Sequence, residues 1–413
     1  MCDPAVKEPA IHVVGGAYEE QCLKPQWHEV FGSAGRATSA IAAFGGPGLV
    51  ALHCYTNAWT EEILAARCSF EGSTLCSTRV AQFCSFSYYH GLATPRIDAP
   101  LMKHAPIVIH AESIVRFGML EGDAIVHANQ AVYDPQSAAA PVVFQANGST
   151  ARHLAVVLND REAAAMTGLT GAGPEELAQA VRTLNGAKTV VIKLGPLGAL
   201  VLDESGVARI PAYISDSVWK IGSGDIFVAH FSLRWMYEGR SPQESAMLAS
   251  LATSQFCDSS GFPTPGNYNR LAASPVVPTA RFLTSHRPMV YLAGPFFTLA
   301  QLWLIEQVRA NLLSFGLSVF SPYHDVGHGS ADDVVELDLK GIRDCDILFA
   351  IGDGLDPGTI YEIGYARARD IPAIVYCENE SRENQKMMEG SGCIMCADYV
   401  TAIYKTLWAA ISV

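Results

Sequence analysis

At 413 residues, with 49% hydrophobic and 17% charged side chains, the chain is too long for one ordinary core and is expected to form two compact domains. Its formal charge of −13 opposes a polyphosphate backbone, and no local cluster of Lys and Arg offsets it, which argues against nucleic acid as a partner. No apolar run approaches the ~20 residues that cross a bilayer, the first residues lack a basic and then apolar leader, and eleven scattered cysteines suit reduced thiols, so a cytoplasmic location is expected.

In the first two-thirds of the chain, short β-rich runs alternate with helical windows. Strands are expected at Ile11–Val14, Leu49–His53, Ile107–His110, Ala124–Ala128, Val190–Lys193 and Ala199–Leu202, with the clearest helices at Asp160–Thr167 and Pro174–Leu184. That alternation predicts βαβ units and a mostly parallel sheet. Within this region Ile221-Gly222-Ser223-Gly224-Asp225-Ile226-Phe227 precedes a helix-like run. Successive glycines ahead of a helix leave backbone N–H groups free for an anion, and an Asp after them can take a proton from a hydroxyl attacking a phosphoryl group. The plainer alternative for Asp225 is a helix cap.

Three further segments accompany it: Phe31-Gly32-Ser33-Ala34-Gly35-Arg36-Ala37 with Ala43-Phe44-Gly45-Gly46, then Val157 to Ala163, then Lys193-Leu194-Gly195-Pro196-Leu197-Gly198-Ala199. Together the four resemble the ribokinase-like (PfkB) sugar and nucleoside kinases over roughly residues 10 to 270, which implies an α/β/α domain. The resemblance implies that Gly222, Ser223 and Gly224 form an anion hole with Asp225 as general base. It also places Asn159 and Glu162 near magnesium and phosphate, and Gly195 and Gly198 beside the nucleotide. An active kinase of this kind would use ATP and magnesium. Trp219-Lys220 stands where the family has Asp-Thr, Thr38 stands about where it has a sugar-binding Asn, and Glu19 or Glu20 is the candidate acidic sugar ligand. Whether the domain phosphorylates a sugar or nucleoside, or only binds one, stays open at this level.

Residues 272–288 hold three prolines without apolar periodicity and read as a linker between a first domain, 1–271, and a second, 289–413. Beyond it the same grammar repeats in miniature. Strand Val290–Ala293, helix Leu299–Phe315, strand Ser318–Ser321, helix Ala331–Arg343, strand Ile347–Ile351, helix Thr359–Arg369, strand Ala373–Cys377 and a tail helix Tyr399–Ile411 predict a smaller, flavodoxin-like, doubly wound parallel sheet. Its most informative run, Gly352-Asp353-Gly354-Leu355-Asp356-Pro357-Gly358-Thr359-Ile360-Tyr361-Glu362-Ile363-Gly364-Tyr365-Ala366, puts Asp356 and Glu362 at a strand-to-helix junction. Ligands of open α/β sheets collect at such carboxyl ends. By itself Thr359-Ile360-Tyr361-Glu362 also spells a capping box. His324, Asp325, His328, Asp332 and Asp333 lie in a glycine-containing loop without metal-ligand spacing, and suit a polar loop over a ligand; no metal site is assigned. The lone Cys393/Cys396 pair has no second pair to complete a zinc site.

The strand-turn Tyr291-Leu292-Ala293-Gly294-Pro295, the helix segment Asp338-Leu339-Lys340-Gly341-Ile342 and the Asp356–Ala366 run, in this order, resemble the nucleoside 2-deoxyribosyltransferase family. The resemblance implies that Glu362 attacks C1′ of a 2′-deoxynucleoside, with Asp356 and Asp338 as candidates for base contact and proton transfer. Tyr291, Tyr361 and Tyr365 would orient the nucleophile or sugar, beside Gly294, Pro295 and Gly358 at the substrate. A carboxylate nucleophile suits an oxocarbenium-like transition state and needs no cofactor. The acceptor stays open: a second base, or water acting on a 5′-monophosphate under the control of a ligand-sensing first domain. Small-molecule nucleosides or nucleotides are the expected partners, and both resemblances imply a homo-oligomer.

Overall fold

The structure, a computed structural model, describes residues 8–82, 84–137, 140–268, 273–283, 287–327 and 329–412. It divides into two compact units, Met1–Pro275 and Val276–Val413. The stretch read as a linker is divided between them. Ile214 N donates to Ser274 O in the first unit, whereas Thr279 N donates to Ile411 O in the second.

In the first unit a nine-stranded sheet runs in the order 206–210, 199–203, 189–193, 150–159, 124–134, 107–117, 11–14, 50–56 and 74–79. It is parallel except at Ala199–Asp203, which pairs antiparallel with both of its neighbours. Central strands are apolar on both faces because helices cover both. Helices Gly32–Gly45, Ala58–Glu71, Ser223–Ser232 and Pro242–Ser259 contribute to one core, and Asp160–Thr167 and Pro174–Asn185 to the other. The α/β/α architecture expected from the sequence is what forms. A separate four-stranded sheet, ordered 27–30, 19–24, 85–90 and 96–98, was not anticipated. Its strands, such as Glu19–Lys24, are short and polar, so their periodicity is faint.

The second unit is a five-stranded, all-parallel sheet ordered 318–320, 289–293, 347–351, 373–376 and 394–396. This 2-1-3-4-5 order is flavodoxin-like and reverses direction between Met289–Ala293 and Ile347–Ile351. Strand alternation turns Tyr291, Ala293, Leu348 and Ala350 toward Ile342 and Ile363 of the helices Ala331–Asp344 and Pro357–Arg367. The last strand, Ile394–Cys396, and the helix Arg382–Gly390 before it went unread, being three residues long and strongly polar respectively.

Candidate active site

The candidate residues of the second unit gather at that reversal, the position where open α/β sheets generally place a ligand. Tyr291, fully buried on the first strand, donates its hydroxyl to Glu362 Oε1 at 2.6 Å. Asp356 is the N-cap of the helix Pro357–Arg367, accepting from Thr359 N at 2.8 Å and from Thr359 Oγ1 at 3.0 Å. The capping box read from Thr359 and Glu362 is therefore not the arrangement found. Pro357 opens the helix two residues earlier than expected, Asp356 takes the cap, and Glu362 is released to face Tyr291.

Burial raises the Glu362 carboxyl to about 7, helped by the nearby acids Asp338 and Asp356 and opposed by the Tyr291 hydrogen bond. A carboxylate in the first turn of a helix would be kept ionised by the helix dipole. Glu362 lies beyond the first turn, where the helix dipole has faded, so desolvation prevails.

Asp338 is presented by the helix Ala331–Asp344, and burial raises its carboxyl too. Its Oδ1 is buried without a hydrogen-bond partner among the described residues, a costly state that suits a group holding a proton for a ligand. The position of this helix depends on Gly341, where a Cβ would meet the Phe320 ring at 2.5 Å. Phe320 in turn stacks on Tyr291, with centroids 5.4 Å apart. A packing contact thus ties the Asp338 helix to Tyr291.

The remaining candidates sort by geometry. Gly294 and Pro295 end the first strand, but a Cβ on Gly294 would press on Ile305 and Ile351 at 3.1 Å, so this glycine answers a packing demand. Gly358 lies in the first turn of the helix beside the Asp356 cap. Tyr361 is 61% exposed and stacks on Tyr365, whose hydroxyl accepts from Arg343 and Arg369. Only Tyr291 of the three tyrosines bonds to the carboxylate. Three of the loop candidates are spent locally: His324 bonds to Glu306 and Ser321, Asp325 to Ser321 N, and Asp333 to Ser330, while His328 lies outside the described residues. Phe296 and Tyr323, each three residues beyond a strand's carboxyl end, pack with centroids 5.5 Å apart, a pair unread in the sequence. Their signal was an aromatic three residues after a strand, directly following proline.

If Glu362 must ionise to act, activity rises with pH through about 7. Removing the Tyr291 hydroxyl withdraws a bond that favours the anion. Tyr291→Phe is therefore expected to move that limb to higher pH and lower kcat by about 10–100-fold, measured as a pH–rate profile.

In the first unit Gly222, at φ +78°, precedes the helix Ser223–Ser232, with Asp225 in its first turn. Ser223 Oγ accepts from Lys220 Nζ at 2.8 Å, and the Lys193 ammonium lies 3.7 Å from where a Cβ on Gly224 would stand. Lys193 pairs with Asp134 at 2.6 Å. Asp225 is paired on both oxygens, with Arg36 Nη1 at 2.8 Å and Gln136 Nε2 at 2.8 Å. Asn159 and Glu162 close on each other in a capping box, each side chain taking the other's backbone N–H. Gly195 begins a turn and has open space at its Cβ position, whereas a Cβ on Gly198 would stand 2.0 Å from Ile210 O. Thr38 bonds back to Ala34 O inside its own helix and does not take the sugar-ligand place. Arg36 and Lys193 lie inside segments that the sequence singled out but received no role there, and Gln136 and Asp134 were passed over because no local pattern marks them.

Comparison with family models finds two matches: the pfkB family carbohydrate kinases over residues 126–265, and nucleoside 2-deoxyribosyltransferase over residues 290–395. The chain joins a PfkB-like unit to a nucleoside 2-deoxyribosyltransferase-like unit. Both are domains of enzyme families. Comparison with curated proteins returns no match. Among solved structures, phosphofructokinase-2 from Escherichia coli in complex with potassium is 16% identical, with TM-score 0.47 over 63% of this chain and 97% of that one. Ribokinase from Thermotoga maritima is 16% identical, with TM-score 0.44 over 63% of this chain and 98% of that one. No helix of the described residues is long and apolar enough to cross a membrane.

Proposed function

We propose that the deoxyribosyltransferase-like unit cleaves or exchanges the N-glycosidic bond of a (2′-deoxy)nucleoside. A Glu362 oxygen attacks C1′, the C1′–N bond breaks, and the departing base takes its electron pair together with a proton from Asp338. The resulting sugar ester of Glu362 is opened at C1′ by a second base or by water, which frees the carboxylate. The observation that carries this reading is the Tyr291–Glu362 hydrogen bond at 2.6 Å, at the reversal of the sheet and beside the unpartnered oxygen of Asp338. In this scheme the glycosyl step uses no cofactor.

The groups that act electrostatically on Glu362 among the described residues are two acids, Asp338 and Asp356. The PfkB-like unit enters the reading as a partner that handles a sugar or nucleoside; ATP and magnesium belong only to a version that transfers phosphate.

The test is incubation of the full chain with one nucleoside and a different free base, followed by mass spectrometry. A new nucleoside is expected. Release of free sugar alone points to hydrolysis, and an unchanged nucleoside pool removes the assignment.

A further inference from the structure

The PfkB-like unit contains a buried constellation that glycosyl chemistry does not use. Arg36, on the helix Gly32–Gly45, is 2% exposed, and its guanidinium bridges Asp225 Oδ2 at 2.8 Å and Glu20 Oε2 at 2.5 Å. Gln136 Nε2 takes the other Asp225 oxygen at 2.8 Å and itself accepts from Ser33. Where a Cβ on Gly222 would stand, Arg36 Nε, Cδ and Cζ lie at 2.1 to 2.4 Å, so the guanidinium lies against the glycine turn itself. The Phe31 and Trp27 rings, with centroids 5.2 and 6.0 Å from Cζ, also pack around the guanidinium. Glu20 comes from the small accessory sheet, so that sheet and the helix Ser223–Ser232 together clamp a side chain of a third element, the helix Gly32–Gly45.

A general base must offer an oxygen within about 2.6–3.2 Å of the hydroxyl whose proton it removes. Each Asp225 oxygen already accepts one hydrogen bond inside the protein, and the Arg36 guanidinium lies against the glycine turn where an acceptor hydroxyl would have to approach. The acceptor side of this site therefore does not fit the phosphoryl transfer for which ATP and magnesium would be required. We infer that Arg36 is a built-in occupant of the acceptor position, and that the PfkB-like unit performs no phosphoryl transfer through Asp225.

Asp225 and Glu20 then act as structural counter-ions. Taking one partner from a buried ion pair strands the other charge, which is strongly destabilising, whereas a residue kept only for catalysis is commonly replaced at little cost to stability. This goes beyond the glycosyl reading, and its assays do not depend on Glu362, so failure of either leaves the other standing.

The experiment uses the full chain and its Asp225→Asn, Glu20→Gln and Arg36→Lys variants. Transfer of labelled γ-phosphate from ATP and magnesium to a panel of sugars and nucleosides is followed beside thermal unfolding. The wild type is expected to transfer no more label than Asp225→Asn, and Asp225→Asn is expected to lower the unfolding midpoint of its unit by on the order of 10 °C. Arg36→Lys keeps the charge but loses the planar fork that spans two carboxylates, and should give a smaller drop if Asp225→Asn does not fold. Label transfer by the wild type that disappears in Asp225→Asn overturns the inference, as does an unchanged midpoint in both Asp225→Asn and Arg36→Lys.

Discussion

Glu362→Ala is expected to lower glycosyl transfer by at least ~10³-fold, about 4 kcal/mol of transition-state stabilisation. The alanine removes the atom that forms the ester to C1′, and no other carboxylate shares its hydrogen bond to Tyr291. A shortfall confined to KM would instead make Glu362 a binding residue. Glu362→Gln keeps the shape and adds a second readout. The folded-state carboxyl is raised from 4.5 to about 7, so the wild type is stabilised by this group below its unfolded value and loses that stability as pH rises through about 7. Glutamine carries no charge to bury. Its unfolding midpoint should therefore exceed the wild type's at about pH 8, and the gain should vanish toward about pH 4. Loss of activity together with that pH-dependent gain separates a buried nucleophile from a residue that merely holds the helix.

Asp338→Asn is expected to reduce kcat by about 10²–10⁴-fold, the usual range for loss of a general acid. The loss should shrink for substrates whose base departs without protonation, which an assay with an activated leaving group measures directly. Asp338 also raises the Glu362 carboxyl, so its removal should move the ascending limb of the pH profile below about 7. Tyr291→Phe is expected to move the same limb the other way. Opposite shifts from two neighbours of one carboxylate would be hard to obtain from general damage to the fold. A limb that stays in place in both variants would mean that Glu362 does not set it. Gly341, by contrast, should act through packing, because it seats Phe320 and thereby the Asp338 helix.

Much of the fold was legible along the chain. The strand Ile347–Ile351 and the helices Asp160–Thr167 and Tyr399–Ile411 form over the residues that their patterns indicated, because apolar periodicity reports which face is buried. Short polar elements escaped for the same reason. Strand Glu19–Lys24 alternates weakly and Ile394–Cys396 has three residues, so their identity depends on partners across the sheet. The helix start at Pro357 was misread because two capping patterns overlap, Asp356-Pro357-Gly358-Thr359 and Thr359-Ile360-Tyr361-Glu362, and sequence alone does not rank them. Packing does: Tyr291 draws Glu362 out of the cap.

The sequence by itself determined the two-part organisation, the parallel sheets, and which carboxylates stand at strand ends, since these follow from neighbours a few residues apart. Only the tertiary structure decided which groups meet. Tyr291 and Glu362 lie 71 residues apart, and Arg36 and Asp225 lie 189 apart. Such contacts leave no periodic trace, because they arise when separate elements close over a shared core. Burial there sets what each acid can do: it holds Glu362 near neutrality beside Asp338, and it locks Asp225 to an arginine.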